Sequence, residues 1–95
     1  ASAKTCHAMQ GIVEEGKEIM EEVEKGDVLD AMLIGAAQKA EHYEIASYGT
    51  VCTWAEMLGE DKALKLLKQT LAEEEKTDQL LSDLAESVVN EDAMA

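Results

Sequence analysis

The sequence predicts an all-α fold: an antiparallel hairpin of two long helices preceded by a shorter helix. Three observations carry this. The chain has no Pro and is rich in Ala, Leu, Glu and Lys, which lose little on entering a helix. Its apolar residues recur at steps of three and four. Gly26-Asp27 and Gly59-Glu60-Asp61 divide it into three helix-sized segments, each glycine being able to end a helix at positive φ.

The first segment, 5–25, carries its stripe on Met9, Ile12, Val13, Gly16, Ile19, Met20 and Val23. Thr5 is placed to cap it and Gly26 to stop it. Gly11 and Gly16 each weaken it by up to about 1 kcal/mol relative to Ala, so it is expected to be the least stable of the three. Asp27 caps the second segment, 27–58, and at 1.5 Å per residue that helix spans roughly 48 Å. Its opening stretch, Val28 to Ala37, is apolar on most sides, more than one helix of a two-helix hairpin can cover. Asp61 caps the third segment, 61–89, with a stripe through Leu67, Thr70, Leu71, Glu74, Thr77, Asp78, Leu81, Leu84, Ala85 and Val88. The link between the long helices is short enough to make them antiparallel neighbours. Asn90 to Ala95 is expected to fray.

Length and charge narrow the function classes. With 95 residues the chain makes one domain, and so small a domain often needs a partner, a metal or a disulfide. Eight Lys and no Arg stand against 21 Asp plus Glu, giving a net charge of −13. Nucleic acid and anionic membrane surfaces are therefore excluded as partners, and cations are favoured. No apolar run is long enough to span a bilayer, and no signal-like segment opens the chain. Ala1 in place of Met implies either a trimmed start or a piece of a longer protein. Two isolated cysteines, Cys6 and Cys52, make no disulfide framework. They read as small buried thiols in a reducing, cytoplasmic setting.

Acidic residues on the inner stripes are the informative anomaly. Glu41 and Glu44 lie along the second helix, and Glu74, Glu75 and Asp78 along the third. Folding the hairpin at residue 60 puts Glu44, 16 residues before it, level with Glu75, 15 after. Glu41 and Asp78 match in the same way, 19 before and 18 after. Clustered carboxylates in an apolar bundle cannot all stay ionised without a cation. Lys39 and Lys76 flank the stripes rather than joining them. A hard divalent cation fits, because carboxylate oxygens suit Fe, Mn, Mg or Ca. Against this stands the plain reading of Glu73-Glu74-Glu75 as a solvated helix face. His42 points about 100° away from Glu41, as a surface group or a group supporting the acids from behind. Tyr48, one turn after Glu44, is placed to hydrogen-bond that carboxylate, while Tyr43 reads as a core aromatic. No serine has an adjacent His–acid arrangement, and the scattered glycines make no phosphate loop. Paired acids could hydrolyse a glycoside, but a bare helical hairpin has no sugar-sized cleft.

The stretch Ala37-Gln38-Lys39-Ala40-Glu41-His42-Tyr43-Glu44-Ile45-Ala46-Ser47-Tyr48-Gly49-Thr50 resembles a signature of the YciE/YciF-type ferritin-like proteins, a stress-associated bacterial family of unknown function. Thr70-Leu71-Ala72-Glu73-Glu74-Glu75-Lys76-Thr77-Asp78 is similar to its second signature, and Met9 to Lys17 to its crossover segment. The resemblance covers roughly Lys4 to Glu86. It implies a ferritin-like bundle with a dinuclear iron or manganese site. Glu41 or Glu44 would supply the single Glu, and Glu75-Lys76-Thr77-Asp78 the Glu-x-x-His motif with Asp in place of His. That replacement weakens the case for iron oxidation, and a ferroxidase-type oxidase is the most enzymatic reading available.

The first two long helices of the family are absent, so the chain resembles the C-terminal half of the domain. Two copies related by a two-fold axis would rebuild four long helices. The expectation is therefore a ferritin-like half-bundle completed by self-association. It would bind Fe or Mn through Glu41, Glu44, Glu75 and Asp78, with Glu74 in reserve and Tyr48 and His42 behind. The alternative is a structural or interaction module whose acids hold nothing.

Overall fold

The computed structural model describes residues 3–95. Helix α1 runs His7–Glu22, α2 Asp27–Met57 and α3 Asp61–Leu84. A π-turn follows over Ala85–Val89, and a final helix, α4, over Asn90–Met94. The described residues contain no strand, and no helix among them is long and apolar enough to cross a membrane.

Each boundary has a local cause. Cys6, rather than Thr5, caps α1: its Sγ accepts from the Met9 N–H at 3.4 Å. Helix α1 ends at Glu22, short of Gly26, because Val23 turns to extended backbone while still donating to the Ile19 carbonyl. Gly26 then makes the reversal at φ +152°, which L side chains rarely adopt, and α2 begins at Asp27. Gly59, at φ +72°, closes α2. The Glu60 N–H reaches back to the Ala55 carbonyl at 2.9 Å and the Gly59 N–H to Glu56 at 3.2 Å, a Schellman turn that satisfies the last carbonyls. The fraying expected from Asn90 gives way to helix through Met94. The inward residues Leu81, Ala85, Val89 and Ala93 are spaced by four, and in a pure α-helix that row drifts off the contact line. The π-turn holds one more residue per turn, takes up the drift and keeps α4 against α2.

The three helices lie side by side with α2 in the middle; α3 and its continuation pack on one flank and α1 on the other. The result is one layer, 53 × 31 × 13 Å. Its radius of gyration is 16.5 Å, against about 12 Å for a compact domain of this length. The core is correspondingly thin. Leu29, Ile34, Cys52, Ala55 and Ala85 are buried, and each keeps 7–8% of its surface exposed. On α1, Met9, Ile12, Gly16 and Ile19 are half-buried, as is Val23 just beyond its end, while Val13 and Met20 of the same stripe stay exposed.

Candidate metal centre

Helices α2 and α3 bring two carboxylates together halfway along the hairpin. Glu41 is half-buried, and its Oε2 is fully enclosed with no hydrogen-bond partner. Glu74 faces it. A bond between two carboxyl groups requires a proton on one of them, and this contact is the largest cause that raises Glu41 to about 7. Loss of water around the side chain adds to the rise, as do the charges of Glu74, Glu44 and Asp78. Glu41 is thus held between its neutral and charged forms near neutral pH, with no lysine paired to it. Lys39 instead reaches Glu15 of α1 at 3.9 Å, on the exposed surface.

The ambiguity between neighbouring glutamates resolves onto Glu74, which is half-buried, whereas Glu75 is exposed. Packing sets the rotation of α3, and its contact row runs Leu67, Thr70, Leu71, Glu74, Asp78, Leu81. Asp78 is also half-buried, but both of its oxygens are engaged. His42 Nε2 lies 3.0 Å from Oδ2, and Gln38 Nε2 donates to Oδ1 at 3.4 Å. The same amide nitrogen makes its shortest bond to Ser82 Oγ, at 2.8 Å. His42, one residue from Glu41, therefore supports an acid on the opposite helix. Gln38 and Ser82 escape a search for charged groups. The signal was present, since Gln38 and His42 on α2, and Asp78 and Ser82 on α3, are each four residues apart.

Glu44 is half-buried and raises Glu41 through its charge. It shares a groove with Tyr43, Ser47, Tyr48, Val51 and Leu67. No hydrogen bond joins Tyr48 to Glu44; Tyr48 is half-buried beside it. Tyr43 is more than packing, because its hydroxyl lies 2.9 Å from Cys6 Sγ and ties the start of α1 to α2. Cys6 is exposed, contrary to the buried thiol its helical context suggests, because it sits at the cap. The Tyr43 hydroxyl lowers the Cys6 thiol and the Met9 N–H adds to this, while the sulfur raises the phenol. Cys52 is buried. Among the described residues, no three His, Cys, Asp or Glu side chains converge closely enough to hold an ion. Glu41 and Glu74 meet as a pair, with Glu44 and Asp78 around them.

A family model described as a domain of unknown function (DUF892) matches residues 1–94. The chain belongs to the DUF892 family. It is 60% identical over 88 residues to protein YciF of Escherichia coli K12, covering 93% of this chain and 53% of that protein. The solved structure of the E. coli stress protein YciF superposes with a TM-score of 0.89 at 58% identity, over 94% of this chain and 56% of that one. A second solved structure, described as "YcfI, a putative structural protein from Rhodopseudomonas palustris", gives a TM-score of 0.81 at 41% identity, over 85% and 52% of the two chains. The chain thus spans about half the length of the relatives it matches.

Proposed function

We propose that this chain is half of a ferritin-like bundle that binds a divalent metal ion, iron or manganese, and serves a bacterial stress response. The observation that carries the metal reading is Glu41: an enclosed carboxylate oxygen with no donor, pressed against a second carboxylate. Carboxylate oxygens suit a hard divalent cation, and a cation would let both acids ionise. Glu41 and Glu74 would hold it, with Glu44 beside them. Asp78 would join as a fourth oxygen donor, oriented by His42 and Gln38. Glu75, on the outer surface, drops out of the set. When bound, iron would supply one-electron chemistry. The stress role rests on the description of YciF as a stress protein.

The test is an anaerobic ferrous titration of metal-stripped protein, with manganese as a control and bound metal counted per chain. Saturable binding is expected, with a rise in melting temperature that reaches about 2.7 kcal/mol of stabilisation at 100 times the dissociation constant. Glu41→Gln combined with Glu74→Gln should remove the binding and leave far-UV helicity intact. Oxygen added to the ferrous complex separates an oxidase from a passive binder.

A structural module is the second reading. It is favoured by the absence of three converging ligands among the described residues and by the description of the R. palustris relative. No saturable binding of either metal would leave that reading standing.

A further inference from the structure

Glu44 and Asp78 flank the Glu41–Glu74 pair from opposite sides. On α2, Glu44 stands three residues after Glu41 and Gln38 three before it, which sets them about 60° to either side. Glu44 opens with Tyr48 and Leu67 onto one groove of the α2–α3 seam. Gln38 and His42 line a second groove with Asp78 and Ser82 of α3. Glu41 and Glu74 meet between the two, and Asp78 acts on Glu41 through its charge.

Asp78 is held unequally at its two oxygens. His42 Nε2 lies 3.0 Å from Oδ2, and the rest of that imidazole is open to solvent. Gln38 Nε2 reaches Oδ1 only at 3.4 Å, near the limit of a hydrogen bond. The same amide nitrogen has a better acceptor in Ser82 Oγ at 2.8 Å, and it also lies 3.5 Å from the Asp78 main-chain carbonyl. Gln38 and Ser82 are both half-buried. A donor stranded there would be costly, but Ser82 keeps the amide satisfied when Oδ1 turns elsewhere.

We infer that Asp78 is a tethered donor to the Glu41–Glu74 centre: His42 anchors it through Oδ2, Gln38 releases it at Oδ1, and Ser82 holds the freed amide. The inference deepens the metal reading and rests on it. A carboxylate that gives one oxygen to a cation is aimed by the hydrogen bond its other oxygen accepts. His42 supplies that bond when its proton is on Nε2. Gln38 acts in the opposite sense, because it competes with the cation for Oδ1. Two positioning residues one turn apart on α2 therefore pull the metal affinity in opposite directions, and Ser82 weakens the competitor's grip.

The test is a manganese titration of the metal-stripped 95-residue chain, read by the EPR signal of the free ion, with far-UV helicity checked in each variant. His42→Ala should weaken binding about 10-fold or more, and His42→Gln, which keeps a nitrogen donor, should recover part of the loss. Ser82→Ala turns the Gln38 amide fully onto Asp78 and should weaken binding about threefold, while Ser82→Thr should restore it. Gln38→Leu should tighten binding about threefold. All three effects should vanish in an Asp78→Asn background, which a merely structural role would not produce. Weaker binding in Gln38→Leu, or effects that persist with Asp78→Asn, overturns the inference. Asp78→Asn binding as tightly as the parent also overturns it and leaves the Glu41–Glu74 centre standing. A parent that binds neither manganese nor ferrous iron overturns the metal reading and this inference together.

Discussion

Glu41 links the protein's stability to pH. Its carboxyl is raised from 4.5 to about 7 in the folded chain, so between those values the folded state binds more protons than the unfolded. Stability then falls as pH rises through that window, the penalty being absent below about 4.5 and complete above about 7. Glu41→Gln removes the charge while keeping the shape and a donor toward Glu74. It should raise the melting temperature above pH 7 and flatten the slope between about pH 5 and 7, measured beside the parent at constant ionic strength. An unchanged slope would place the pH dependence in the other carboxylates. The sequence showed that acids sit at one depth of the hairpin, because equal rise along two antiparallel helices is arithmetic. It could not choose Glu74 over Glu75, since 100° of helix rotation separates them and packing sets the rotation. The spacing of Gln38 with His42 and of Ser82 with Asp78 was visible but unread, and the Cys6–Tyr43 bond went unread with it, because neutral polar groups become conspicuous only when a partner lies opposite.

The helices and their connections follow physical rules that the sequence displays, and the departures have local causes. Gly26 and Gly59 mark the two reversals because both adopt positive φ. Gly59→Ala, forced to φ +72° at the Schellman turn, should cost about 1 kcal/mol in a urea melt. Gly11, in the body of α1, is different: it is exposed, and a methyl group there meets nothing within 4 Å. Gly11→Ala should therefore stabilise by about 0.5–1 kcal/mol. Equal effects at the two positions would contradict the conformational account. The sulfur cap at Cys6 was missed because thiols are weak acceptors and Thr5 is the better cap by type. The π-turn was missed because a row spaced by four looks like ordinary helix until its drift must be accommodated against α2.

At the scale of the whole molecule, the apolar excess of Val28 to Ala37 anticipated a layer too thin to form its own core. Val28 and Met32 remain 52 and 40% exposed even after α1 and α3 have packed against α2. The helices are connected in series: α1 touches α2 but neither α3 nor the end of the chain. Its tethers at the far end are the Cys6–Tyr43 bond and the exposed Glu15–Lys39 pair, and none of its residues is buried. Lifting α1 away would thus leave every α2–α3 contact in place. Amide hydrogen exchange should accordingly resolve two populations. The protons of α1 should exchange early, through a local opening insensitive to low urea, and those of central α2 and α3 late, with the global unfolding. Uniform protection across all three helices would show that α1 and the hairpin unfold as one unit. Two populations would instead make residues 7–22 a detachable strap on a sturdier pair, able to expose the flank of α2 without loss of the fold.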